Sequence, residues 1–127
     1  MVLVAPNRVK QSFIHLRVDL SDGPRIQTGQ FTLFDLVDRC FSFSTKRKQL
    51  AVQVLTLIAE QPRTFTSLLA ETGAGKSALH LTLTALEQSG LIRQESRAKP
   101  FVLSDAFCES LQGYAVFWKG WKDAQRQ

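Results

Sequence analysis

Gly75, Lys76 and Ser77 put a permissive backbone, a cation and a hydroxyl at three consecutive positions, just where a helical pattern begins. That trio suits anion binding. The first N–H groups of a helix have no internal acceptor, and the helix dipole favours negative charge there. One use of such a trio is nucleotide binding through G-x-x-x-x-G-K-[ST]. Gly75, Lys76 and Ser77 fit the end of that pattern, but Ala70 stands where its first glycine belongs. The loop must also leave a buried strand, and Ser67–Thr72 has helical spacing instead. No later apolar strand ending in Asp offers a magnesium partner. The preferred alternative is a glycine turn between two helices, with a basic residue opening the second.

Other chemistries find little support. The two histidines and unclustered carboxylates supply no general acid–base pair, so no enzymatic activity is expected. Cys40 and Cys108 have neither metal-ligand spacing nor a histidine in pattern, and both are expected to be buried free thiols in a reducing cytoplasm. No metal or other cofactor is implied. His15 falls on the polar side of its segment and suggests no ligand role. MVLVAP lacks the basic start of a signal peptide, and no apolar run approaches a membrane span.

The charge is placed unevenly. The chain of 127 residues carries a net charge of +5. Residues 1–44 hold five Lys/Arg against four Asp/Glu, and residues 45–127 hold eleven against seven. The excess forms three clusters: Lys46-Arg47-Lys48, Arg93 with Arg97 and Lys99, and Lys119 with Lys122 and Arg126. Such a balance favours an anionic partner.

Several elements must position these groups. Thr66 is a candidate N-cap for a helix over Ser67–Thr72, and Gly73 and Gly75 permit a sharp turn. Lys76–Ser89 carries Leu79, Leu83 and Leu86 as a buried stripe, with His80, Leu81, Thr84 and Ala85 on the opposite side. Gly90 ends that helix at C′. Leu91 and Ile92 open a strand, Ser96–Pro100 turns, and Phe101–Leu103 returns. Upstream, Lys46–Glu60 shows Leu50, Val54, Leu57 and Ile58 on one face and is broken at Pro62.

The segment SLLAETGAGKSALHLTLTALEQSGLI followed by RQESRAKPFVL resembles the winged helix-turn-helix transcription regulators. The match is tight over about a third of the chain, and reaches about half with the preceding helix. The resemblance implies a double-stranded DNA partner, with the second helix of the motif in the major groove. Lys76 and Ser77 would then meet phosphate, His80 and Thr84 base edges, and Leu81 a thymine methyl. Arg97 and Lys99 would reach the minor groove or its flanking phosphates from the wing, with Arg93 in the same basic cluster. Lys46, Arg47 and Lys48 would grip backbone. The exposed face carries no arginine to pair two-pronged with guanine. The alternatives are therefore a protein-docking winged helix, or a replication or partition factor of the same fold.

The remaining segments flank this motif. Ser12–Leu20 alternates apolar and polar residues and predicts a half-buried strand. SDGP turns, and Arg25–Gln30 is expected to return as a second strand. Phe31–Phe43 reads as a helix with Thr32 and Asp35 at capping-box spacing. Asp105–Gln125 reads as a last helix, with Phe107, Leu111, Tyr114, Trp118 and Trp121 along a heptad-like seam. That seam suggests a homodimer. The expected fold is α+β and mainly helical: a hairpin-and-helix extension over 1–44, a winged helix-turn-helix over 45–104 and a dimerisation helix over 105–127. The expected function is a cytoplasmic, nucleoid-associated regulator whose effector, if it has one, is unspecified. Because Ala70 replaces the loop glycine, millimolar ATP with magnesium should leave the melting temperature unmoved. An upward shift abolished by Lys76→Ala would restore the nucleotide site.

Overall fold

The central helix owes its place to an apolar stripe at helical spacing. Ala51, Val54, Leu55 and Ile58 are all buried within Thr45–Glu60, and Ser44 caps its start by accepting from Arg47 N–H at 3.2 Å. The computed structural model describes residues 15–126. Its elements are α1 (Asp22–Gln27), α2 (Leu33–Cys40), α3 (Thr45–Glu60), α4 (Phe65–Thr72), α5 (Lys76–Gln88), β1 (Ile92–Gln94), β2 (Phe101–Leu103) and α6 (Ala106–Ala124). Mainly helical with one small antiparallel sheet, this is the expected winged helix-turn-helix.

One core joins these elements. Leu68 of α4, Leu79, Leu83 and Leu86 of α5, Ile92 and Phe101 of the sheet all pack around α3. Val37 and Cys40 of α2, with Phe41 and Phe43 after it, close the other side. The Phe41 and Phe43 rings stack at 4.9 Å. The region before α3 thus belongs to the same core. Burial pushes the Cys40 thiol up to about 11, so it stays protonated at neutral pH.

The return strand expected at Arg25–Gln30 does not form. The first half of that stretch lies in α1, a short helix with Asp22 and Pro24 in its first turn, where a missing N–H and a fixed φ cost nothing. Of the strand expected at Ser12–Leu20, residues 12–14 lie outside the described residues. His15 and Arg17 instead donate their backbone N–H groups to the carbonyls of Cys40 and Arg39, each at 2.8 Å. The chain there serves the exposed carbonyl end of α2 rather than a hairpin partner. The arrangement is held by charge. Asp38 accepts from Lys48 at 2.6 Å and from Arg17 and Arg39 at 2.9 Å each. Asp22 accepts a forked pair from Arg39 at 2.8 and 2.9 Å. The Lys48 ammonium, first among these cations, holds the Asp38 carboxyl below its ordinary range. The capping box at α2 forms as expected between Thr32 and Asp35.

Arg63 ties the second half together. Its backbone exchanges both hydrogen bonds with Phe101, at 3.2 and 2.7 Å, adding a third extended segment to the wing sheet. Its side chain, 8% exposed, donates to Glu71 at 2.7 Å, to Glu60 at 2.9 Å and to the Leu57 carbonyl at 3.2 Å. One residue therefore joins the end of α3 and the end of α4, through its guanidinium, to β2, through its backbone. Three further expectations are corrected. Thr64, not Thr66, caps α4 by accepting from Ser67 N–H. Ala85 is buried, because α5 lies at the centre and is covered on more than one side. Cys108 is exposed, because Phe107 and Leu111 take the core-facing side of α6 and Cys108 stands about 100° round the helix from Phe107.

Arg63→Met keeps the aliphatic packing and removes the fork. Charge-assisted hydrogen bonds contribute about 1.5–3 kcal/mol each when buried, but both glutamates regain water on release. The expected cost is therefore about 2–3 kcal/mol in total. In thermal unfolding this corresponds to a fall in Tm of roughly 10 °C. A fall under about 2 °C would show that the clamp contributes little.

Candidate nucleic-acid interface

The turn between α4 and α5 fixes the start of the exposed helix. Gly73 ends α4 at φ 67°, a left-handed conformation that favours glycine. Ala74 N–H then bonds to the Thr72 hydroxyl at 3.2 Å. Gly75 stands at the N-cap of α5 in extended conformation and has no side chain to cap the first turn. The first N–H groups of α5 therefore face outward beside Lys76 and Ser77, both exposed.

Along α5, His80 and Leu81 are exposed and Thr84 is half-buried, on the side away from Leu79, Leu83 and Leu86. Thr82 faces the core, its hydroxyl satisfied by the Ala78 carbonyl at 2.8 Å. A shallow depression runs between α5 and the wing, lined on one side by His80, Thr84 and Glu87 and on the other by Gln94 and Arg97. A second, formed by Phe65, Lys76, Ser77, His80 and Leu81, adjoins it at the start of the helix. Helix start, helix face and wing are thus continuous.

The wing has a defined tip. β1 and β2 pair antiparallel with Arg93 opposite Val102 and Gln94 opposite Phe101. Within the tip, Lys99 N–H bonds to the Ser96 carbonyl at 3.0 Å. The Gln94 amide reaches across and donates to the carbonyls of Arg97 and Lys99, at 2.9 Å each. Both cations therefore project from a backbone tied at two points. Gln94 escaped sequence reasoning, since a glutamine in a strand carries no signal of its own. Arg93 is exposed, on the sheet face opposite Gln94, and does not line the depression.

The cluster at the start of α3 divides. Lys46 is exposed and, with Arg47, lines a groove against the Thr72–Gly75 turn. Arg47 also lies over the Phe43 ring, 5.7 Å from its centroid. Lys48 turns its ammonium inward to Asp38. Two of the three cations thus stand beside the start of α5.

Residues 51–96 match the model of the IclR helix-turn-helix domain. This winged helix-turn-helix segment is similar to the IclR type. The match begins within α3 and ends in the wing tip, so it takes in the last ten residues of the central helix, then α4, the turn, α5 and β1. No curated protein and no solved structure matches the chain. The IclR-type segment supports a DNA-binding transcriptional regulator. Among the described residues, no helix is long and apolar enough to cross a membrane and no group of residues could hold a metal ion.

The seam predicted on the last helix also divides. Phe107 is half-buried and packs against the core, and Leu111 is half-buried beyond it. Tyr114, Trp118 and Trp121 are exposed, and the two indoles stack at 5.4 Å.

Gln94→Met retains length and loses both amide hydrogen bonds. Hydrogen exchange at the Lys99 amide and backbone relaxation of residues 96–99 should both report a looser tip, with exchange faster by at least tenfold. Unchanged exchange would mean that the turn alone holds the wing.

Proposed function

We propose that the chain is a cytoplasmic, nucleoid-associated transcriptional regulator that binds double-stranded DNA as a homodimer. The observation that carries this is the continuity of α5 with the wing: His80 and Thr84 face Arg97 across one depression, with Lys76 and Ser77 at its end. Residues 45–104 form the binding unit, 105–127 the dimerisation helix, and 1–44 an extension whose helix α2 buttresses α3.

In this assignment α5 enters the major groove. Lys76, Ser77 and the first N–H groups of α5 hold one phosphate, and Lys46 and Arg47 hold its neighbour. His80 and Thr84 hydrogen-bond base edges, and Leu81 meets a thymine methyl. Glu87, on the same face, can accept from a cytosine amino group while repelling phosphate, which gives selectivity without added affinity. Arg97 and Lys99 supply positive potential at the minor groove, and Arg93 adds to it at longer range.

Two sets of variants separate these roles. Arg97→Ala with Lys99→Ala should weaken binding to all duplexes alike and lower the slope of log K against log salt by about 2 per wing. His80→Ala and Thr84→Ala should instead reduce the preference for a selected site over random DNA, by roughly 1–3 kcal/mol for each side chain that no longer reads a base edge. Wild-type affinity in the wing variant, with full site preference in the helix variants, would overturn the assignment and favour a protein-docking role.

A further inference from the structure

Helix α6 is the least covered element. It runs 19 residues and buries none of them. Tyr114, Val116, Phe117, Trp118 and Trp121 are all more than half exposed. Gly113 and Gly120 sit inside the helix, where glycine is unfavourable, and a Cβ at either would meet no atom within 4 Å. Nothing in the protomer requires their smallness. At about 100° per residue, Tyr114, Phe117 and Trp121 fall within an arc of roughly 60°, and the two glycines lie about 40–60° beyond Phe117. An aromatic side and a bare backbone side run next to each other on one helix.

We infer that α6 pairs antiparallel with α6 of a second copy about a two-fold axis near Phe117, each Tyr114 packing against the partner's Trp121 on one side of the seam and each Gly113 meeting the partner's Gly120 on the other, where the two backbones can approach closely. One axis satisfies both contacts, because the midpoints of 114 and 121 and of 113 and 120 fall within about half a residue of Phe117, and a two-fold across antiparallel helices keeps each residue on its own side of the seam. An isologous pair requires this self-complementarity. Charge selects the direction. The helix starts with Asp105 and Glu109 and ends with Lys119, Lys122 and Arg126 around a single Asp123. An antiparallel pair sets the acidic start of one copy beside the basic end of the other and opposes their dipoles, whereas a parallel pair sets like against like. The inference rests on the homodimer proposed above and adds its direction and contacts.

Exposed Cys108 is a natural labelling site, with Cys40 buried. A nitroxide on Cys108 of the full chain gives inter-spin distances by pulsed dipolar spectroscopy. Cys108 lies nine residues from Phe117, so an antiparallel pair separates the two labels by about 27 Å along the axis and by roughly 30–40 Å overall. A parallel pair has no axial offset and gives less than about 25 Å. A distance in the longer range supports the inference. The shorter distance overturns it and leaves the homodimer standing. Monomeric sedimentation at tens of micromolar overturns both, while the wing variants still test DNA binding on their own. Gly113→Leu and Gly120→Leu are helix-favouring, and each should raise the dimer dissociation constant at least tenfold with helicity retained. A dimer as tight as wild type in either variant would overturn the glycine contacts.

Discussion

A single buried guanidinium sets the relation between the parts. Arg63 follows Pro62, which stops α3, and its backbone is already committed to the sheet through Phe101. Its side chain therefore approaches the Leu57 carbonyl near the end of α3, together with Glu60 and Glu71. Arginine suits the place because its rigid fork aims several donors in fixed directions, which a lysine cannot do. The carboxylates lie toward solvent while the guanidinium does not. This limits the desolvation that makes fully buried ion pairs costly. The position of the wing relative to α4, and through α4 the entry angle of α5, depends on this junction.

The face so assembled is only moderately basic. Lys48 is spent internally on Asp38, and Glu87 stands among the groups of the depression. In the proposed assignment, attraction comes instead from a few cations on fixed backbone: Lys76 at a helix start and Arg97 and Lys99 on a tip tied by Gln94. A preorganised cation loses less freedom on binding than one on a mobile loop, so modest charge can be used efficiently. Two independent grounds support a regulator's surface rather than a generic basic patch. One is the IclR-type match over residues 51–96, and the other is the continuity of helix and wing.

Local pattern was readable where side chains answer to their own element. The stripe of Leu79, Leu83 and Leu86, the Thr32–Asp35 box, the glycine at the end of α5 and the two short strands all follow from spacing and backbone chemistry. Partners at long range were not readable. The alternation before Leu20 suggested a half-buried strand, but residues 15–20 are exposed and form no strand, and period alone does not reveal that the carbonyl end of α2 takes their hydrogen bonds. Arg25–Gln30 was misassigned because a turn signal at SDGP fits a hairpin and a helix start equally, and the proline favours the second. Thr64 and Thr66 are equivalent in type, and the capping residue is decided by where Phe65 enters the core. Arg63 and Gln94 matter through contacts that no spacing rule encodes. At the interface, sequence placed Lys76, Ser77, His80, Leu81, Thr84 and Arg97 on or beside one face but could not foresee the diversion of Lys48.

Gly90 gives the molecule a stiff elbow. Its φ is 84°, and a Cβ there would come within 2.8 Å of the Phe107 nitrogen, while its carbonyl accepts from that same N–H at 3.1 Å. The end of α5 therefore meets the start of α6 backbone against backbone, with no side chain between them to flex. In the proposed pair, the angle between reading helix and pairing helix becomes a fixed property of the protomer. The separation of two half-sites is then measured by protein geometry. A site lengthened by one base pair rotates its second half by about 35°, and the stiff elbow leaves the twist to be taken up by the DNA. Selectivity for spacing would then depend on the deformability of base pairs that no side chain touches.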